Sequence, residues 1–117
     1  LLSIPNTESN SRYLRSCKAV GVTGHPARFP ARLPEFFIRF LTKPGDLVLD
    51  IFAGSNTTGE AAQRLGRRWI ACDIERSYVG ASVFRFCDDE TEAKASFSAI
   101  MAGQSVSFGG QLALSAD

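Results

Sequence analysis

Cysteine and histidine are scarce in this chain of 117 residues, with three of the first and one of the second. Cys17, Cys72 and Cys87 stand far apart, odd in number and without a C-x-x-C pair, and His25 is alone. Neither a zinc site nor a disulfide framework fits that inventory. No metal is expected, and a reducing cytoplasm is the compartment it suits. No apolar run approaches the roughly 20 residues of a membrane span, and the N-terminus lacks a charged region followed by an apolar core, so no membrane or signal segment is expected. Net charge is also low: +1 overall provides no global attraction to nucleic acid. The chain lacks a starting methionine, opening Leu1-Leu2-Ser3-Ile4-Pro5 as a piece of a longer polypeptide is expected to.

What is present is ordinary globular composition, 44% apolar and 21% charged, at a size of about one domain. Charge is unevenly spread. Residues 1–45 carry seven basic and two acidic side chains, hence +5, and residues 46–117 carry six and ten, hence −4. That asymmetry is equally compatible with an edge facing phosphates and with two solvated helix faces.

Local pattern predicts an alternation of elements. A short helix is expected over Arg12–Ala19. Leu33, Phe36, Phe37, Phe40 and Leu41 then fall on one helical stripe, with Pro34 in the first turn and Pro44-Gly45 as the stop. The phenylalanines of that stripe are expected to be core. Leu47-Val48-Leu49, closed by Asp50, reads as a strand buried on both faces. A small-residue turn leads to a helix over Thr57–Leu65, for which Gly66 is a C-cap. Trp69 to Asp73 reads as a second strand, with Cys72 a small buried residue and Arg67-Arg68 before it a solvated loop. Helix is expected again over Ser77–Phe86 and Asp88–Ala102, and Val106–Leu114 as a hairpin or a loose tail. Strand, helix and strand within about forty residues form a βαβ unit with parallel strands, the half-fold of nucleotide-binding proteins.

The chemistry concentrates after the first strand. A strand ending in Asp50, a turn through Gly54 and a helix opening Thr57-Thr58 create a helix N-terminus that favours a carboxylate or phosphate. Gly54 leaves the backbone approachable. Asp73, some twenty residues on, is placed to accept hydrogen bonds from ribose hydroxyls. An adenosine-containing ligand satisfies both features. Two phosphate motifs fail: Glu60 stands where a P-loop needs lysine, and G-x-G-x-x-G lacks its middle glycine, where Asn56 stands. A single carboxylate fits better than a pyrophosphate, and S-adenosylmethionine carries a carboxylate, an amine and a ribose.

Asp50-Ile51-Phe52-Ala53-Gly54-Ser55-Asn56-Thr57-Thr58-Gly59 resembles the cofactor-binding motif of bacterial DNA methyltransferases that modify exocyclic amino groups. His25-Pro26-Ala27-Arg28-Phe29-Pro30 is similar to the motif that precedes it, and Arg67-Arg68-Trp69-Ile70 running into Asp73 and Tyr78-Val79 to the family's second strand and helix. Ile4-Pro5-Asn6, Glu8-Ser9-Asn10 and Ser82-x-Phe84-Arg85-Phe86 look closest to the cytosine N4 branch of restriction–modification enzymes, with adenine N6 left open. The resemblance implies a partial Rossmann-like, α/β S-adenosylmethionine-dependent methyltransferase fold with parallel strands and flanking helices. It implies that Phe52, Ala53, Gly54 and Ser55 line the cofactor, that Thr57 and Thr58 meet its carboxylate, and that Asp50 lies near its amine. Asp73 would take the ribose, and His25, Pro26, Ala27 and Arg28 would close over the methionine end. Asn56 departs from the glycine common there, but asparagine tolerates left-handed backbone.

The family's Pro-Pro-Tyr motif, which holds the flipped base, cannot occur among isolated prolines. No catalytic residue is therefore expected in this chain. Residues 1–87 read as the cofactor-binding part and 88–117 as a C-terminal helix and tail, with loose order left open. The expected partners are double-stranded DNA, through the complete enzyme, and a missing N-terminal catalytic and recognition part. Two other readings stay open: a non-catalytic nucleotide-binding or interaction module, and a dehydrogenase fragment on fold analogy alone.

Overall fold

The computed structural model describes residues 3, 11–24, 28–109 and 111–115. The expected helices and strands form, with ends shifted by a few residues. They are α1 (Ser11–Ala19), α2 (Arg32–Leu41), β1 (Leu47–Asp50), α3 (Thr57–Arg64), β2 (Arg68–Asp73), α4 (Arg76–Ser82), α5 (Glu90–Met101), β3 (Val106–Phe108) and β4 (Gln111–Ser115). One turn of 3₁₀-helix, Val83–Arg85, continues α4. Local chemistry accounts for the helix starts. The side chains of Asn56, Glu75 and Asp89 each accept a backbone N–H from the first turn of α3, α4 and α5.

The strands make one sheet in the order β1-β2-β4-β3. β1 pairs with β2 in parallel, Leu47 opposite Arg68 and Asp50 opposite Ala71. Residues 106–115 take the hairpin alternative, and β4 adds in parallel to β2, Ile70 opposite Leu112 and Asp73 opposite Ser115. The chain thus contributes three parallel strands and an antiparallel edge, an α/β sheet with helices packed on it.

Register decides which residues are core. Side chains alternate between faces, so Val48, Trp69 and Ala71 share one face and Leu47, Leu49, Arg68, Ile70 and Cys72 the other. The first face is packed. Trp69 is 1% exposed and stacks with Phe86 at 4.7 Å and Phe108 at 6.3 Å between ring centroids, while its indole Nε1 donates to Gln63 Oε1 at 3.0 Å. Ala61, Ala62, Val79, Val83 and Ile100 close the core around it.

The second face is open, and this corrects two expectations. β1 is not buried on both faces: Leu49 is 60% exposed and Leu47 nearly half exposed, while Cys72 is only half-buried. The phenylalanine stripe of α2 is not core either, since Phe36, Phe37 and Phe40 are exposed, Phe40 by 74%. The reason is common to both. Periodicity identifies an apolar face, but the described residues supply no layer to cover these two.

A third correction concerns Arg67, which is buried rather than solvated. Its guanidinium donates to Thr42 Oγ1 at 2.9 Å, to the Thr42 carbonyl at 2.8 Å and to the Leu65 carbonyl at 2.8 Å. It thereby ties the end of α2 to the α3–β2 connection. Arg68 opens β2 instead of lying in a loop, and its side chain is exposed. Cys17 and Cys87 are buried, and among the described residues no three His, Cys, Asp or Glu side chains group as metal ligands. Burial pushes the Cys17 thiol above its ordinary value, against a smaller opposing hydrogen bond from Tyr13. The thiol is therefore neutral at pH 7 and a poor nucleophile.

Candidate cofactor site

Residues 51–56 connect the carboxyl end of β1 to α3, beside the carboxyl end of β2. Asp50 Oδ1 accepts from the Phe52 amide at 3.0 Å, which turns the chain out of β1 and leaves Phe52 82% exposed. The Ala53 amide then donates to the Cys72 carbonyl at 3.0 Å, and the Gly54 amide to Asp73 Oδ2 at 2.8 Å. Gly54 has φ 54°, a left-handed backbone that glycine adopts without cost.

Asn56 is also left-handed, at φ 61° and ψ 41°, which meets the expectation for its place in the turn. Its Oδ1 accepts from the Gly59 amide at 2.9 Å, and its backbone carbonyl from Glu60. The first four amides of a helix have no intrahelical partner. Here the Asn56 amide goes to the Ala53 carbonyl and that of Gly59 to Asn56 Oδ1, and the described hydrogen bonds fill neither Thr57 nor Thr58. Asn56 Nδ2 is buried with no hydrogen-bond partner among the described residues. The loop therefore combines two helix-terminal amides that are unfilled among the described residues with the macrodipole of α3. A helix end of that kind suits an anionic group.

The candidate residues are brought together unevenly. Asp50, Phe52, Ala53, Gly54, Ser55, Thr57, Thr58 and Asp73 all gather at the carboxyl ends of β1 and β2 and at the start of α3. Within that group, Ser55 and Thr57 are buried, their hydroxyls 3.3 Å apart, so their side chains brace the loop. Thr58 borders a groove with Phe29, Leu33, Pro34 and Phe37. Asp73 holds the backbone with both oxygens, Oδ2 on Gly54 and Oδ1 on the Glu75 amide at 2.9 Å. An ionised carboxylate has about four acceptor sites, so further donors can still be accepted. The Arg28 guanidinium lies 3.8 Å from where a Cβ on Gly24 would stand, folded back toward the segment after α1. His25, Pro26 and Ala27 lie outside the described residues.

Sequence reasoning quoted Arg85 within Ser82-x-Phe84-Arg85-Phe86 but gave it no role. Its guanidinium reaches Ser55 and Glu60 across 30 and 25 residues, and no local pattern announces such a contact. The Glu60 carboxylate that disqualifies a P-loop is thereby paired.

Gly59 offers a check on the loop. A Cβ there would stand 2.4 Å from Asn56 Oδ1. Alanine favours a helix interior by about 1 kcal/mol, while losing the cap costs roughly 0.5–2 kcal/mol. Asn56 is 1% exposed and cannot swing to solvent, so displacing it also disturbs a packed core. Gly59→Ala is expected to be net destabilising by about 1 kcal/mol, read as a lower urea midpoint; an unchanged midpoint would contradict the geometry.

A DNA methylase family model of the N6 and N4 type matches residues 3–84. The chain belongs to this family. The type II methyltransferase M.PvuII of Proteus hauseri is 61% identical over 89 residues, 76% of this chain and 26% of that protein. M2.DpnII of Streptococcus pneumoniae is 51% identical over 55 residues, 47% of this chain and 20% of that protein. A solved structure described as the cytosine-N4-specific PvuII DNA methyltransferase superposes with a TM-score of 0.79 at 53% identity, covering 88% of this chain and 38% of that one. The methylase fold therefore carries the expected partial Rossmann-like architecture. The chain spans about a quarter of the length of the curated relatives it matches.

Proposed function

We propose that this chain is the S-adenosylmethionine-binding part of a DNA methyltransferase acting on an exocyclic amino group, cytosine N4 in first place. The carrying observation is the loop between β1 and α3. Its unfilled Thr57 and Thr58 amides suit a carboxylate, and Asp73 beside Gly54 retains acceptor capacity for ribose hydroxyls. Phe52, Ala53 and Gly54 would line the cofactor, Asp50 would lie near its amine, and His25 to Arg28 would close over the methionine end. When bound, the cofactor supplies an electrophilic methyl group. The cytosine N4 assignment draws on the solved relative's description.

DNA recognition and the base-holding motif are assigned to the remainder of the enzyme, which we place against two uncovered apolar surfaces of this chain, the open sheet face and the α2 stripe. Parallel sheets are normally covered on both faces. Here Leu47 and Leu49 lie bare on one face of β1, while on the α3 side a groove of about 370 Å³ lined by Phe37, Leu41 and Val48 runs between α2 and β1. The DNA-bearing, cytoplasmic enzyme is the assembly of the two parts. Within this reading 1–87 forms the cofactor part, and 88–117 the helix and tail that extend it.

Titration of this chain with S-adenosylhomocysteine tests the reading, and saturable heat is expected. A folded sample that gives none, beside a complete enzyme that does, refutes it. A second expectation concerns these two surfaces, with one substitution in each. Phe40→Asp with Leu49→Asp should leave the chain's stability within about 0.5 kcal/mol per site, the usual range for surface changes. The same pair should abolish reconstitution of methylation when the chain is mixed with the remainder of the enzyme. Undiminished reconstitution would remove the assignment of both surfaces.

A further inference from the structure

Arg85 has a side chain only 4% exposed, yet it belongs to no expected site. It lies in the 3₁₀ turn after α4. From there Nε donates to the Ser55 carbonyl at 2.6 Å, Nη2 to Ser55 Oγ at 3.1 Å, and Nη1 to Glu60 Oε2 at 2.6 Å. Its guanidinium carbon lies 4.5 Å from the ring centre of Tyr13 on α1.

Those contacts fall on a particular peptide. Ser55 sits between two left-handed residues, Gly54 at φ 54° and Asn56 at φ 61°. The Ser55–Asn56 peptide is gripped at both ends, its carbonyl by Arg85 and its amide by the Ala53 carbonyl at 2.7 Å. Its orientation fixes where α3 begins, and hence where the unfilled Thr57 and Thr58 amides point. Burying a guanidinium is costly unless it is paired and hydrogen-bonded. Glu60, one turn into the same helix, supplies the charge, so the pair binds both ends of the α3 entry to one planar group. A lysine would keep the charge but not the fork that reaches two oxygens of Ser55 at once.

We propose that Arg85 is a positioning residue for the cofactor loop: it holds the start of α3 in its binding conformation without touching the ligand, and so sets affinity for the cofactor. The proposal rests on the cofactor reading above. It makes the α1 and 3₁₀ segments part of the binding apparatus, although they lie behind the loop.

The test uses Arg85→Lys and Glu60→Gln in the complete chain, with Glu35→Gln, at the exposed Arg64 ion pair on the outer side of α3, as control. Two quantities are read at a temperature where every sample is folded: the Kd for S-adenosylhomocysteine by calorimetry, and amide hydrogen exchange over residues 53–60. Arg85→Lys is expected to raise Kd at least tenfold and Glu60→Gln several-fold, both with faster exchange in the loop, while the control matches the parent. A purely architectural arginine would lower the melting midpoint and leave Kd and loop exchange alone; that outcome overturns the proposal. Should Arg85→Lys fail to fold, Glu60→Gln decides by the same two readouts. If the parent binds no S-adenosylhomocysteine, the cofactor reading fails by itself, and loop exchange still judges the clamp: unchanged exchange in the folded variants overturns it.

Discussion

Trp69→Ala should cost about 3–5 kcal/mol of folding free energy, the scale for truncating a large buried aromatic. Stability of a domain is typically only about 5–15 kcal/mol, so a large share of it is at stake. Two losses combine. The indole leaves a cavity beside Phe86 and Phe108, whose own rings pack on each other at 5.3 Å, and Gln63 Oε1 loses the N–H it accepts. The cavity dominates, because the Gln63 side chain belongs to an exposed residue and can turn to water. Trp69→Phe, which refills most of the space, should recover more than half of the loss. Urea denaturation of the three proteins measures both differences. A loss below about 1 kcal/mol for the alanine variant would mean that the ring stack is not what joins α3, the 3₁₀ turn and the hairpin.

Gly54→Val should abolish cofactor binding. A β-branched residue at φ 54° is a steric outlier, and holding one in such a conformation costs about 1–3 kcal/mol. The backbone can relieve that strain only by rotating the peptide, which withdraws the Gly54 amide from Asp73. The loop then loses both its shape and its tie to β2, in addition to the space a ligand needs near the backbone. Affinity for S-adenosylhomocysteine should fall by more than a hundredfold, with Gly54→Ala intermediate. Calorimetry on folded samples checks the order, and equal affinities for the three would sink the assigned role of Gly54.

The β1–α3–β2 unit was legible because its signals are local. A run of three apolar residues, a turn of small residues, a helical stripe and a capping glycine each act within a few positions. The motif at 50–59 placed the candidate site for the same reason. Elsewhere the information was not local. The stripe of α2 has the right period, but amphipathicity cannot say whether this chain or another segment covers it. Gly109-Gly110 suits a hairpin and a loose tail alike, and only pairing with β2, some forty residues earlier, selects the hairpin. Arg67 read as a loop arginine and Arg85 carried no assigned role, because burial of a guanidinium depends on acceptors 25 and 30 residues away. Asp73 was legible as a carboxylate at a strand end. That it also clasps the Gly54 amide is a matter of tertiary geometry.

The register of the sheet carries a kinetic consequence. Partners in β1 and β2 are 21 positions apart, Leu47 to Arg68, and partners in β2 and β4 are 42 apart, Ile70 to Leu112. Loop-closure entropy grows only logarithmically, so doubling the separation adds about 0.6 kcal/mol. The far ladder is therefore scarcely harder to nucleate than the near one. The β3–β4 hairpin, whose closure is local, can form first and arrive as a unit. Assembly then has no obligatory order from the N-terminal end, and the cofactor loop can be complete before or after the distal edge of the sheet is in place.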